Sequence, residues 1–249
     1  MSALMVLLGL VVGSFLNVCI YRIPRGTSLV FPKSHCPFCK HALSSWDLVP
    51  VFSYIFSLGR CRYCNTSIST RYVLVELFSA SIFFVTFFFM GNSPYLLKYL
   101  IFFSLLLIIF FIDLEHKIIP DELVLFLLLW GMVWQVLYPE RGWMEAAGGA
   151  LLGGGFLLLT AVISRGGMGG GDIKLMFASG FYLGIGMTGL ALFLSFTGGA
   201  AVGLALLTIK MIRRNEYIPF GPFLTLGIIS TVLWGSHLIE MYLRWVGLN

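Results

Sequence analysis

The chain has 249 residues, of which 59% are hydrophobic and only 11% charged, with a mean hydropathy of +0.95 and a formal net charge of +5. That balance excludes a soluble globular domain, in which about a quarter of the residues are charged, and is that of a multispanning membrane protein. The basic excess calls for no nucleic acid, because membrane topology and contact with anionic lipid account for it.

Apolar stretches of about 17 to 25 residues suffice to cross a bilayer, and the chain divides by that length. The first runs from Ala3 to Tyr21 without a charge. It lacks the basic start of a secretory signal, its charges Arg22 and Arg25 follow rather than precede it, and no small-residue cleavage site comes after, so it reads as a retained helix. A polar insert, 23–71, follows. Further apolar segments lie at 72–90, 95–112, 122–138, 144–164, 173–187, 189–209 and 223–245. The expectation is an all-α polytopic membrane protein of about eight transmembrane helices, the sixth and seventh separated somewhere between Gly184 and Gly189. The chain thus has a first helix (1–22), a small insert (23–71) and a membrane-embedded remainder (72–249).

Lys and Arg are retained on the cytoplasmic side of a membrane. With eight spans and an outside N-terminus, the inner side holds Arg22, Arg25, Lys33, Lys40, Arg60, Arg62, Arg71, Lys117, Arg165, Lys174, Lys210, Arg213 and Arg214, thirteen in all, and the outer side only Lys98, Arg141 and Arg244. The insert is therefore expected in the cytoplasm.

Within the insert, CPFC at 36–39 and CRYC at 61–64 form two C-x-x-C pairs separated by 21 residues. Four thiolates at this spacing converge tetrahedrally on one ion, each pair making a tight knuckle, as in zinc ribbons. In a reducing compartment two structural disulfides are disfavoured, so zinc is the default and a redox dithiol the competing reading. Catalytic zinc is disfavoured, because four Cys ligands leave no open position for water. An insert of about 50 residues lies near the lower limit for a self-supporting core, and structural zinc supplies on the order of 10 kcal/mol toward folding. His35 and His41 flank the first knuckle as substitute ligands, although four Cys complete the set. Cys19, in the first helix, reads as packing.

Asp113 ends the third span in FFIDLEHKIIPDEL and Asp172 opens the sixth in GGMGGGDIKL; span parity puts both on the cytoplasmic side. An ionisable group at membrane depth costs roughly 2.5 to 3.5 kcal/mol on insertion scales, so it is usually paired or functional. Taken singly, Asp113 reads equally as an interfacial acid and Asp172 as the cap of the sixth helix. Gly166, Gly167, Gly169, Gly170 and Gly171 clear side chains from the approach to Asp172, which a cap does not need. Two carboxylates within a few ångströms cannot both ionise readily, so such a pair shares a proton. The ionised member can take a proton from water attacking a peptide carbonyl while its partner donates to the carbonyl oxygen, which is aspartyl proteolysis. Among the other acids, Asp121 reads as an N-cap with Glu122 favoured by the helix dipole. Glu115 reads as a loop residue, and Glu140 and Glu145 as solvated groups around Arg141.

Gly169 to Asp172 fits the G-x-G-D signature of intramembrane aspartyl proteases. Along its whole length the chain resembles the bacterial type IV prepilin peptidases, also called leader peptidase/N-methyltransferases: GSFLNVCIYRIP, the two knuckles, SISTRYVLVEL, DLEHKIIPDEL and GGGDIKL follow in that order. One departure is Val73, where many members have Pro, and it bears on the geometry at the start of the second helix alone. The resemblance implies that Asp113 and Asp172 are catalytic, with Gly169 and Gly171 supporting them or the substrate. It implies further that Cys36, Cys39, Cys61 and Cys64 bind structural zinc, and that 72–249 is the peptidase domain of a bacterial inner-membrane protein with a periplasmic N-terminus. The activity implied is cleavage of prepilins or pseudopilins on the cytoplasmic side, after the Gly ending a short basic leader. Methylation of the new α-amine from S-adenosylmethionine would follow.

No glycine-rich nucleotide motif marks a site for the methyl donor; the Gly clusters at 148–155 and 198–203 read as close helix packing. Glu76, near the inner end of the second helix, either holds a cation such as an α-amine or sulfonium or pairs with Arg71 or Arg22. Lys174 either tunes the aspartates or anchors to lipid phosphate. A proton-coupled transporter with a zinc-ribbon insert is the first rival, but no internal repeat is visible. A membrane-anchored zinc-ribbon adaptor is the second, and it leaves Asp113 and the glycine run without a role.

Overall fold

The structure, a computed structural model, describes residues 1–211 and 218–247; Arg213 and Arg214, counted above on the inner side, lie outside them. The described residues form eight α-helices: α1 (Ser2–Arg22), α2 (Phe52–Phe56), α3 (Arg71–Met90), α4 (Tyr95–His116), α5 (Asp121–Leu137), α6 (Trp143–Ile163), α7 (Gly170–Thr208) and α8 (Gly221–Val246). Six of them, α1, α3, α4, α6, α7 and α8, are long and apolar enough to cross a membrane. With 17 residues, α5 sits at the short end of a crossing length. Phe88, Val162 and Ile163 expose most of their side chains on these helices, which suits a solvent of hydrocarbon.

At 39 residues, α7 is about twice a crossing length, and Gly184 inside it is not helical (φ 72, ψ 176). Both sides of that break meet one point on α6: a Cβ built on Gly153 would lie 2.7 Å from Met176 O and 3.1 Å from Thr188 Cγ2. In a straight helix those two residues would stand about 18 Å apart along the axis. The element is therefore a helical hairpin with arms 170–183 and 185–208. The expected break between the sixth and seventh segments falls at Gly184, where only glycine adopts the required φ without strain. Counting the two arms separately, the eight expected segments correspond to α1, α3, α4, α5, α6, the arms of α7, and α8.

Two compact units divide the chain, Met1–Ile108 and Ile109–Asn249. In the first, α1 packs on α3 through a Gly-x-x-x-Gly stripe: a Cβ on Gly9 would come within 2.6 Å of Ala80 Cα, and one on Gly13 within 2.7 Å of Glu76 Cα. Small residues at that spacing let helix backbones approach closely. Asn17 Nδ2 donates to Tyr72 O across the same contact at 2.9 Å. In the second unit, α6 packs on both arms of α7, with Gly149 against the backbone of Gly180 and Gly184. From the first arm, Tyr182 donates to Leu127 O of α5 at 2.6 Å, and α8 lies on the second arm with Gly227 against Ser195 and Ala191. Close packing thus accounts for Gly148, Gly149, Gly153 and Gly154. In the 198–203 cluster, among the described residues, a Cβ on Gly199 would touch Phe220 at 3.4 Å and Phe223 at 3.5 Å, one on Gly203 would touch Ile218 at 3.8 Å, and one on Gly198 would meet nothing within 4 Å.

Candidate active site and metal centre

The insert is built from two copies of one turn. Cys36 N–H donates to His41 O at 3.0 Å and Lys40 N–H to Cys36 O at 2.9 Å; in the second knuckle Cys61 N–H donates to Thr66 O at 2.8 Å and Asn65 N–H to Cys61 O at 2.9 Å. Lys40 and Asn65 take matching left-handed conformations, φ 60 and 58. The turns aim four sulfurs inward, so that the Sγ atoms of Cys36, Cys39, Cys61 and Cys64 all lie within 4.8 Å of one another. Neither histidine joins them: His41 stacks on Tyr63 at 3.7 Å and His35 Nδ1 lies 3.0 Å from Lys33 O.

A tetrahedron with metal–sulfur bonds of ≈ 2.3 Å has edges of about 3.8 Å, and Cys36 Sγ and Cys64 Sγ stand 3.8 Å apart. The chemistry of the donors also fits a cation. The Thr66 hydroxyl at 3.2 Å, joined by its backbone N–H, lowers the Cys64 thiol to about 6. Burial opposes ionisation of Cys36, but the N–H groups of Cys39 and Phe38 together with the Cys61 and Cys39 thiols outweigh it and hold that thiol below its usual range. At Cys39 a hydrogen bond from His41 favours the thiolate. Loss of water and the neighbouring Cys36 and Cys64 override it and push the thiol up to about 11. Four such sulfurs can all ionise together only around a positive ion.

In the second unit, Asp113 occupies the last turn of α4 and Asp172 the first turn of α7, each only 4% exposed. The helix α4 continues to His116, so Asp113 lies inside it and Glu115 is helical, not in a loop. Gly221 N–H donates to Asp113 Oδ2 at 3.0 Å. Because Gly221 opens α8, its N–H has no acceptor within its own helix and is available to a carboxylate. A Cβ there would stand 2.5 Å from Oδ2, so the approach requires glycine.

Asp172 is not the cap itself: Gly169 is the N-cap of α7, and Asp172 is the third residue of the helix, in its first turn. A Cβ on Gly171 would meet Ile119 Cβ at 2.8 Å, whereas one on Gly170 would meet nothing within 4 Å. Gly171 therefore seats the start of α7 against the link that follows α4, and Gly170 leaves open space. That contact brings the start of α7 beside the link that leaves α4, so Asp113 and Asp172, 59 apart in sequence, stand at neighbouring helix ends.

The structure shows the partners of three further side chains, Lys174, Asp121 and Glu76. Lys174 Nζ sits 2.9 and 2.8 Å from the two carboxylate oxygens of Asp121, so its long side chain reaches to α5 and not to the aspartates. Asp121 is correspondingly no N-cap; Pro120 holds that position and makes no side-chain cap bond. The buried carboxylate of Glu76 accepts Val51 N–H at 2.7 Å, which turns it toward the insert. Arg22 likewise serves the insert, donating to Ser28 O at 2.7 Å and Pro32 O at 2.6 Å. Glu145 pairs with Arg141 at 3.9 Å. The contributions of Gly221, Ile119 and Val51 carried no local signal, since each acts through its backbone or an apolar surface.

Paired buried carboxylates at the ends of membrane helices define the chain as a polytopic membrane enzyme of acid–base type. Two family descriptions match it, the Bacterial Peptidase A24 N-terminal domain over residues 7–90 and the Type IV leader peptidase family over residues 100–204. The chain belongs to the type IV leader peptidase family. It is 34% identical to the prepilin leader peptidase/N-methyltransferase of Bacillus subtilis (strain 168), over 98% of each chain. It is 32% identical to the proteins of the same name from Aeromonas hydrophila and Pseudomonas aeruginosa, over 97% of this chain and 93% of theirs. No solved structure matches it.

Proposed function

We propose that this chain removes the leader from prepilins or pseudopilins by aspartyl proteolysis at Asp113 and Asp172 and then methylates the exposed α-amine. The observation that carries the proteolytic reading is the burial of two aspartates at the ends of α4 and α7, one of them held at Oδ2 by the Gly221 N–H. One carboxylate, ionised, takes a proton from water as the water oxygen bonds to the scissile carbonyl carbon. The other, protonated, gives its proton to the carbonyl oxygen. When the C–N bond breaks, the amine leaves with a proton from the first, a hydroxyl of the tetrahedral intermediate returns its proton to the second as the product carboxyl forms, and the pair again shares one proton.

A zinc ion held by Cys36, Cys39, Cys61 and Cys64 would be structural, closing the two knuckles on one another. S-adenosylmethionine would supply the methyl group; Glu76 gives its Oε2 to the Val51 N–H and keeps a second carboxylate oxygen as the acceptor for a cationic group. The distribution of Lys and Arg supports a bacterial inner-membrane protein with insert and aspartates on the cytoplasmic side and the N-terminus in the periplasm. On that topology the functional division is 1–22, 23–71 and 72–249.

The test incubates purified protein with a prepilin and labelled S-adenosylmethionine and reads product masses. Loss of the leader followed by gain of one methyl group is expected. Asp113→Asn and Asp172→Asn should each leave the leader attached, with rates down by at least about a hundredfold, the scale of general acid–base catalysis. A wild-type protein that shortens no prepilin overturns the reading.

A further inference from the structure

The short helix α2 turns its apolar face outward. Between Asp47 and Arg60 twelve consecutive residues carry no charge, and Phe52, Ile55 and Phe56 share one helix face by their i, i+3, i+4 spacing. All three are exposed, Phe56 by 83%, as are the neighbouring Trp46 by 79% and Leu58 by 86%. Tyr54 points the other way, its hydroxyl 2.9 Å from where a Cβ on Gly59 would stand. A cluster of large apolar side chains outside a domain's core marks an interaction surface.

The depth of this face follows from Glu76. That residue is the sixth of α3, about 7 Å along the axis from the start of a membrane-spanning helix. Its carboxylate holds the N–H of Val51, the residue immediately before α2, at 2.7 Å. Val51 has φ 63, a genuine outlier for a β-branched side chain, so the buried acceptor fixes an otherwise costly conformation. The start of α2 is thereby tied beside the first turns of a membrane helix. Both ends of the insert also emerge from membrane-spanning helices, α1 and α3. Interfacial elements bury their apolar faces ≈ 5–10 Å into the headgroup and acyl boundary, which is the level at which Glu76 holds this one.

We propose that α2 and its flanks lie in the bilayer interface, with Phe52, Ile55 and Phe56 among the headgroups and upper acyl chains and the exposed Arg60 beside lipid phosphate. The occupant of the face is phospholipid. The insert is then held by the membrane as well as by its two chain ends, which offsets its small core; this goes beyond the catalytic reading and does not depend on it.

The test places a photoreactive p-benzoylphenylalanine at Phe56, and separately at Ile55, in the full chain reconstituted in vesicles of mixed zwitterionic and anionic phospholipid. Both side chains are exposed, so the probe fits without repacking a core. After irradiation, mass spectrometry should show phospholipid adducts at both positions, as at Phe88 on the outward side of α3. Adducts to protein instead of lipid, from a second copy or another chain, overturn the proposal. So does an absence of lipid adducts at 55 and 56 when the probe at 88 gives one.

Discussion

Gly221 has no side chain, yet it sets how near another residue's carboxylate can come. Its N–H bonds Asp113 Oδ2 at 3.0 Å, and an added methyl would sit 2.5 Å from that oxygen. Gly221→Ala should displace the carboxylate and lower kcat for leader removal by tenfold or more, with KM little changed, because positioned acid–base groups contribute about 10²–10⁴-fold. Gly227→Ala, on the same helix, places its methyl against Ser195 and Ala191. It should lower the melting temperature without that loss of kcat per folded molecule, and equal kcat values for Gly221→Ala and wild type would exclude the positioning role. The aspartates could be read from sequence because an acid in an apolar run stands out locally. Gly221 could not: its partner lies 108 residues away, and the bond is made by a backbone atom every residue but proline possesses. Lys174 shows the converse, since its position beside Asp172 suggested that partner while the length and direction of its side chain selected Asp121.

Among the elements, hydropathy and crossing length gave the helices to within a few residues, because each must bury an apolar surface in lipid independently of the others. The hairpin in α7 was less legible. Apolar residues continue on both sides of Gly184, and glycines recur through the segment, so composition does not say which one turns. Only the backbone conformation and the meeting of Met176 and Thr188 at Gly153 do. Gly184→Val should therefore be among the most destabilising single changes in the second unit. A β-branched residue at φ 72 costs at least about 1–2 kcal/mol in backbone strain, and the new side chain would also meet Glu145 Oε1, 2.8 Å from the Cβ position. At Gly186, two residues on, an added Cβ meets nothing within 4 Å among the described residues, so Gly186→Val should change the melting temperature far less. Thermal unfolding of the two variants in detergent checks the order, and equal losses would show that Gly184 is not the hinge.

For the molecule as a whole, the four cysteines belong to the first compact unit and both aspartates to the second. The cysteine pairs were legible because a knuckle is local; that α2 turns its apolar face outward was not, because the tie from Val51 to Glu76 joins a loop to a helix that follows it. Proton balance tests the metal centre. A thiol lowered in the fold, as Cys64 is from 9.0 to about 6, favours the folded insert above its unfolded value and loses that advantage as pH falls through about 6. Cys39, raised to about 11, keeps its proton at neutral pH until a metal displaces it. Metal-free protein should accordingly release protons when zinc is added at pH 7.5, with Cys39 contributing and Cys64 already ionised. Zinc uptake should weaken as pH falls, most steeply below about 6, where Cys64 must also give up a proton. Titration in weakly buffered solution with a pH indicator measures the release. In parallel, chelation should make residues 23–71 sensitive to protease while far-UV helicity, held by the membrane helices, changes little. Uptake of zinc without proton release, or an insert equally resistant with and without metal, would show that these sulfurs do not close a structural site.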